Sequence, residues 1–215
     1  MQHTEPTSPD VYFDLSGGAL CLDFANTWNN RERPETDRLR DYGDLLAFAL
    51  QAGALSAAEV RELAPRARRE AKERDAAFAR ALALRDAIHG LFHHAAAGGE
   101  PRAGGLERLN ELLRQALCCL EVERRDGGYA WSWAGRDGSL EAPLWRLVHS
   151  AAELLTGGEL DRVRVCASAT CNWLFLDRSR NRSRRWCDMT TCGNRAKARR
   201  HYRRVRGRAA GTATR

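Results

Sequence analysis

The sequence predicts a mainly α protein with one small β-hairpin, an α+β chain built in two parts. Three observations support this prediction. Apolar side chains recur at helical spacing over most of residues 11–156, one short stretch alternates instead, and two pairs of cysteines follow within residues 161–206. The pair Gly157-Gly158 separates the two parts, so we place a domain boundary there and expect residues 11–156 to form a separable helical domain.

The charge of the chain changes sign at the same point. Residues 1–160 contain 19 Lys and Arg against 25 Asp and Glu, whereas residues 161–215 contain 16 against 3, so net charges of −6 and +13 make up the total of +7. A dense cationic segment attracts polyanions and gains from counterion release. The C-terminal part therefore predicts a polyanionic partner, with a solvated basic tail as the alternative.

Helical periodicity runs through the N-terminal part. Apolar side chains at i, i+3 and i+4 mark the buried face of each helix. The predicted helices cover residues 20–29, 39–50, 57–65, 78–97, 106–117 and 144–155. Residues 1–10 and the tail 207–215 are expected to be disordered.

Local signals are expected to start, stop or separate these helices. Asp37 is the predicted cap of the second helix, and Ser56 with Glu59 has the S-x-x-E form of a capping box for the third. Pro65 is expected to kink or end that third helix. Two alternating stretches around residues 126–128 have the signature of a hairpin.

Four cysteines form the strongest motif of the chain. Cys166 and Cys171 enclose four residues, fifteen residues follow, and Cys187 and Cys192 enclose four more. Zinc prefers four tetrahedral ligands, and a closed set of four leaves no open position for a substrate. One structural zinc is therefore predicted, with two disulfides as the alternative in an oxidising compartment. Because the first residues do not read as an export signal, a cytoplasmic location is expected.

The residues at the fourth cysteine and near the N-terminus resemble a known family. Cys192-Gly193-Asn194-Arg195 resembles the tetrapeptide that names the CGNR zinc finger, and residues 17–27, reading GGALCLDFANT, are similar to the signature of its companion ABATE domain. The resemblance implies a role in stress-induced transcription regulation in bacteria. The resemblance implies a helical ABATE-like domain followed by a treble-clef-like finger, with DNA as the bound molecule.

The C-terminal helix is predicted to contact nucleic acid. Arg195, Arg199 and Arg203 are successive i+4 neighbours, so they form one cationic stripe. The full predicted contact set is Arg184, Arg185, Arg195, Lys197, Arg199, Arg200, Arg203 and Arg204. DNA is favoured over RNA as the partner, and a protein-interaction module with a purely structural zinc is a further alternative.

Two aromatic pairs bear on these alternatives. Trp131 and Trp133 share a face of the predicted hairpin, and core packing is favoured over base stacking for them. Trp173 and Phe175 lie two apart on a predicted strand, where they would suit stacking on unpaired bases. This second pair keeps RNA binding open.

Three polar residues of the first predicted helix form a candidate ligand pocket. Asp23, Asn26 and Thr27 lie at the edge of its apolar face, so they either hydrogen-bond a neighbouring loop, which is the favoured interpretation, or bind a small-molecule effector.

The sequence also limits the classes of function. No phosphate loop, dinucleotide motif or nucleophile elbow is present, so an enzyme is not expected. No stretch approaches the ~20 apolar residues that a membrane span needs, so a membrane partner is not expected either. The sequence leaves the oligomeric state open.

Overall fold

The N-terminal part is an assembly of helices with one hairpin inserted before the last of them. The structure, a computed structural model, describes residues 12–98, 104–125, 127–133 and 138–202. Helices α1 to α6 cover Leu20–Ala25, Tyr42–Gln51, Ala57–Arg69, Ala71–Ala97, Gly105–Leu117 and Ala142–Thr156. The hairpin consists of β1 (Leu120–Arg125) and β2 (Gly128–Trp133), in antiparallel register with Val122 opposite Trp131. The predicted mainly α fold with a small hairpin is confirmed.

The C-terminal part is smaller and contains a second hairpin. Strands β3 (Val163–Val165) and β4 (Leu174–Leu176) pair antiparallel, with the first two cysteines in the loop between them. A single π-helical turn at Met189–Gly193 then leads into α7, residues 194–202. A cysteine loop, a hairpin and a helix therefore follow one another, as the predicted finger requires.

Helix α4 is the centre of the larger core. It contacts α1, α2, α3, α5 and α6, and it also contacts β3. Phe24, Phe48 and Phe92 are fully buried in this core, and Phe13 packs edge-on against Phe48 with ring centroids 5.3 Å apart. Within the described ranges, no helix is long and apolar enough to cross a membrane.

Two predictions of helix bounds are confirmed. Ser56 and Glu59 form the predicted capping box, with side-chain to backbone distances of 3.2 and 2.7 Å. The long helix ends where predicted, because Gly98 adopts a left-handed conformation with φ of 75° that a glycine reaches at little cost.

Three other predictions of helix bounds are wrong. Helix α1 ends at Ala25, four residues early, because the next residues turn to bring Trp28 into a bridge with Asp37. Asp41 caps α2, since the carboxylate of Asp37 is held instead by an arginine of α4. Pro65 lies inside α3, which continues to Arg69.

The tryptophans of the first hairpin differ from each other. Trp133 packs partly buried against the core, and the guanidinium of Arg146 lies 5.1 Å from its ring centroid. Trp131 is 54% exposed, so the prediction that it packs in the core is wrong. Val122 and Tyr129 of the same hairpin are also more than half exposed.

The larger core continues past the predicted domain boundary. Val163, Leu174 and Leu176 are buried in the same apolar cluster as the helices. The second hairpin is thus shared, and whether residues 11–156 fold without the finger stays a prediction.

Candidate metal centre and nucleic-acid interface

The four cysteines of the C-terminal part meet at one point. The Sγ atoms of Cys166, Cys171, Cys187 and Cys192 lie within 4.8 Å of one another, and all four residues are buried. Two of the pairs, Cys171 with Cys187 and Cys187 with Cys192, are separated by 3.8 Å. The two sulfur atoms of a disulfide are about 2.0 Å apart. Sulfur atoms that each lie about 2.3 Å from a tetrahedral zinc are about 3.8 Å apart. The cluster therefore fits one structural zinc.

The electrostatics of the cluster also call for a cation. Hydrogen bonding with Cys171 lowers the pKa of the Cys166 thiol, while hydrogen bonding with Cys166 raises the pKa of Cys171 and of Cys187. Four sulfur atoms this close cannot all ionise beside one another without a positive charge to compensate them. A bound divalent ion supplies that charge and allows four thiolate ligands.

Backbone hydrogen bonds hold the first cysteine pair in place. The N–H of Cys166 donates to the carbonyl of Trp173 at 2.9 Å, which extends the β3–β4 pairing up to the ligand. The N–H of Cys171 donates to the carbonyl of Ser168 at 3.0 Å and closes a tight turn. The loop between β3 and β4, which we call the knuckle, thus directs the Sγ atoms of Cys166 and Cys171 towards the same point.

The second pair depends on the residues around Cys192. The carboxylate of Asp188 accepts from the N–H of Thr191 at 2.6 Å and caps the π-helical turn. Gly193 is buried, and a Cβ there would lie 2.7 Å from the Sδ of Met189, so a larger residue would require the exposed Met189 side chain to move. The side-chain amide of Asn194 donates to the carbonyl of Thr190 at 2.9 Å. Asn194 therefore braces the zinc-bearing turn.

Aromatic side chains complete the small core of the finger. Trp173 and Phe175 are 9% and 0% exposed, and they pack with the four cysteines. The expectation that this pair could stack on unpaired bases is wrong, because their rings are needed to bury the metal site.

The exposed face of α7 carries the predicted cations. Arg195, Lys197, Arg199 and Arg200 are all exposed. Arg195 donates to the hydroxyl of Thr170 at 3.3 Å, and within the described part of the chain none of the four has an ion pair with an acidic residue. Arg203 and Arg204 lie outside the described residues.

The two predicted contacts outside α7 have different surroundings. Arg184 is partly buried, with its guanidinium 4.6 Å from the centroid of the Phe175 ring, and it donates to the carbonyls of Trp186 and Cys187. Arg185 is exposed and lies over the ring of Trp186 at 5.4 Å. The donors of Arg184 are largely occupied inside the finger, whereas those of Arg185 face solvent.

The predicted pocket residues of α1 lie against the finger. The amide of Asn26 pairs with the backbone of Leu174, donating to its carbonyl at 2.8 Å and accepting from its N–H at 2.9 Å. The N–H of Leu176 donates to the carbonyl of Gly17 at 2.8 Å. The N-terminal motif thus pairs with the outer edge of β4, opposite to β3, and closes that edge.

Asp23 and Thr27 flank this contact. Asp23 accepts from the N–H of Gly17 at 2.7 Å, and Thr27 donates to the carbonyl of Phe24 at 2.8 Å while accepting from Arg85 at 3.2 Å. The favoured hydrogen-bonding interpretation of the three polar residues agrees with these bonds.

Asp23, Asn26 and Thr27 also line a cavity of about 330 Å³ between α1 and the finger. Arg38 of the loop before α2 and Thr170 of the knuckle are on its wall as well. Nothing in the sequence places these two near α1, because they approach it only through tertiary contacts.

The fold and the cysteine cluster define a class of protein: a helical domain joined to a C-terminal four-cysteine zinc finger. The chain belongs to the ABATE family, described as "Putative stress-induced transcription regulator", whose profile matches residues 18–158. The CGNR zinc finger profile matches residues 162–205. Neither is an enzyme family. A search of curated proteins gave no match.

Proposed function

We propose that this protein is a DNA-binding transcription regulator whose zinc finger contacts phosphates and whose helical domain senses a ligand or partner. The matched families support a regulator role of this kind. In this proposal the zinc fixes the finger and takes no part in chemistry.

The observation that carries the proposal is the uncompensated charge on α7. Lys197, Arg199 and Arg200 are exposed on a helix whose base is fixed by Cys192, and no described acidic residue pairs with any of them. By contrast, Arg178 and Arg182 of the preceding loop are paired with Glu159 and Asp161. Cations held on a rigid helix without acidic neighbours favour phosphate binding.

The interface that we propose is centred on α7 and includes Arg185 at its edge. Arg195 contributes from the first turn of the helix, and Arg203 and Arg204 extend the proposal beyond the described residues. Arg184 fits less well, because its guanidinium already donates to Trp186 and Cys187.

DNA remains the favoured polyanion. The argument for RNA rested on the exposure of Trp173 and Phe175, and both rings are buried. With those two rings unavailable for stacking, the exposed cations of α7 are better suited to a duplex, where they would contact phosphates, although Tyr202 is an exposed aromatic side chain on the same helix.

The salt dependence of binding tests the proposal. We expect Arg199→Ala and Arg200→Ala each to weaken duplex DNA binding and to reduce the slope of log K against log salt by about 0.9, because each loses one phosphate contact. Fluorescence anisotropy across a range of salt concentrations measures this slope, and a competing single-stranded RNA tests the preference for DNA.

Arg114→Ala is the matched control, because Arg114 is an exposed arginine of α5, away from the finger. Its slope should equal that of the wild type, and all three variants should retain zinc. Binding with no steep salt dependence, or slopes unchanged in both α7 variants, would contradict the proposal and favour a protein-interaction module.

A further inference from the structure

The cavity between α1 and the finger is built by both parts of the chain. One wall consists of Asp23, Asn26 and Thr27 with the preceding segment from Tyr12 to Asp14. The opposite wall consists of finger residues, including Thr170, Trp173 and Arg195. Its volume of about 330 Å³ is at the lower end of the roughly 300–1,000 Å³ typical of ligand pockets, so it suits a small molecule.

One wall offers a carboxylate with spare hydrogen-bonding capacity. Asp23 is 8% exposed, and its Oδ1 accepts from the N–H of Gly17. In the described ranges its Oδ2 has no hydrogen-bond partner. Burial raises the pKa of Asp23 to about 7, and a ligand cation beside this group would offset the cost of its negative charge.

The cavity also presents donors for an anion. The side chain of Arg38 has no hydrogen bond or ion pair to any residue that the structure describes, and Arg195 donates only to Thr170. Trp173 is nine-tenths buried, and its indole N–H likewise has no partner in the described chain. Unpaired buried donors are uncommon, and a ligand acceptor would satisfy this one.

We infer that this cavity binds a small zwitterion of the amino-acid class, with its ammonium group at Asp23 and its carboxylate group at Arg38 and Arg195. The cavity wall carries two guanidiniums, of Arg38 and Arg195, and three carboxylates, of Asp14, Asp23 and Asp188. Asp14 and Asp188 already accept from the N–H groups of Ser16 and Thr191, so charged groups of both signs are present to match both ends of such a molecule. An anion alone would leave the buried carboxylate of Asp23 as a repulsive neighbour, and an amine alone would offer no acceptor to Arg38, Arg195 or the indole N–H of Trp173.

The position of the cavity would couple ligand binding to the finger. Cys171, Cys187 and Cys192 belong to its wall, and Arg195 lies on the same helix as the proposed phosphate contacts. A molecule that contacts both α1 and α7 would add a link between the helical part and the finger. This inference deepens the sensing role in the proposed function and rests on it for its biological meaning, while ligand binding itself requires no nucleic acid.

Calorimetric titration of the full-length, zinc-loaded protein without nucleic acid tests the inference. The probes are the standard L-amino acids and, for each one that binds, the matching primary amine without a carboxylate and the matching carboxylic acid without an amine. We expect at least one amino acid to bind and both matched analogues to bind at least tenfold more weakly, because each loses a charge-assisted contact.

Two variants locate the site. Asp23→Asn keeps an acceptor for the N–H of Gly17 but removes the charge, and Arg38→Gln changes an exposed side chain with no described partner. Each should weaken amino-acid binding at least tenfold, whereas the surface changes Asp75→Asn and Arg114→Gln should leave it unchanged. Arg38→Gln preserves the test if Asp23→Asn does not fold.

Either of two results would overturn the inference. One is that no amino acid binds the wild type, and the other is that an amine or an acid alone binds as tightly as the zwitterion. A failure of DNA binding would not affect this titration, so the two proposals can fail separately.

Discussion

The helical part and the finger are stabilised in different ways. The helices bury a large apolar core that includes Phe24, Phe48 and Phe92. The finger buries its four cysteines with Trp173 and Phe175, and among the described residues Trp186 is the one partly buried apolar side chain that packs against them. A core of this size does not offset the entropy of ordering the chain without the metal. The helical part is therefore stabilised by burial of apolar side chains, whereas the finger is stabilised by metal coordination.

The two modes of stabilisation meet at the second hairpin. Leu174 and Leu176 of β4 face the helical core, whereas Phe175 between them faces the cysteines. Alternate residues of one strand therefore belong to different cores. Asn26 and Gly17 secure the outer edge of the same strand from the N-terminal motif. The finger is thus joined to the helices by a shared strand as well as by the Gly157-Gly158 connection.

Loss of the metal should produce the largest effect. We expect Cys187→Ser to abolish stoichiometric zinc binding and to unfold the finger, because structural zinc contributes roughly 10–16 kcal/mol in small fingers. The helical part should stay folded but melt at a lower temperature, since it loses the covering that β4 provides. Metal analysis and thermal circular dichroism measure both effects.

Cys118→Ser is the matched control, because Cys118 is exposed and distant in sequence from the cluster. It should retain zinc and the wild-type melting curve. Complete loss of helical signal in Cys187→Ser would show that burial alone does not hold the helices, and undiminished zinc would contradict the four-cysteine site.

The buried ion pair of the helical part should give the next largest effect. Arg85 is 2% exposed at its side chain and is held by both carboxylate oxygens of Asp37, each at 2.6 Å. Asp37→Ala leaves that guanidinium buried without its counter-charge, which costs about 3–5 kcal/mol. Chemical denaturation should show this loss, with zinc content unchanged.

Asp75→Ala provides the comparison for a surface pair. Asp75 pairs with Arg74 at 2.8 Å, but its side chain is 70% exposed. Its removal should cost less than about 1 kcal/mol. Equal losses in the two variants would mean that Asp37 does not compensate a buried charge.

The junction between the two parts should respond to Asn26→Ala. The substitution leaves the N–H and the carbonyl of Leu174 without their partners, at about 1–3 kcal/mol for each unsatisfied group. We expect lower stability together with separate unfolding of finger and helices, seen as zinc-release and far-ultraviolet circular dichroism transitions that no longer coincide.

Asn181→Ala is the control for this change, because Asn181 is an exposed asparagine of the finger. It should leave the two transitions coincident. If Asn26→Ala also leaves them coincident with unchanged stability, the amide does not join the two parts.

The sequence predicted best those features that depend on local chemistry. The capping box at Ser56, the end of α4 at Gly98 and the zinc ligands all follow from spacing over a few residues. The predicted Asp37 cap failed for the opposite reason. Its carboxylate is held by Arg85, 48 residues away, and periodicity carries no information about such a partner.

The candidate sites show the same division. The sequence alone predicted the cysteine cluster and the excess of cations on α7. The contact between Asn26 and Leu174 spans 148 residues, and its only sign in the sequence was a polar side chain at the edge of an apolar face. Burial of Trp173 was missed because an aromatic pair on a short strand has the same pattern whether it binds bases or covers a metal.

A pH dependence of stability is also expected to originate at the junction. Burial raises the pKa of Asp23 from 3.8 to about 7. Between these values the folded protein holds a proton that the unfolded chain has released. Stability should therefore fall as the pH rises from about 4 to about 7, by at most about 1.4 kcal/mol per pH unit from this group, and should not depend on it above that range.

Asp23→Asn isolates this contribution, because the amide does not titrate and can still accept from the N–H of Gly17. Unfolding free energies from chemical denaturation between pH 5.5 and 8 should decrease with pH more steeply in the wild type than in the variant. Taking the difference between the two cancels the titration of the cysteines and of other groups that both proteins share. Parallel curves would show that Asp23 is ionised at neutral pH in the folded protein. That result would mean that burial does not raise the pKa of Asp23, and that the pH dependence of stability does not originate at the junction between helices and finger.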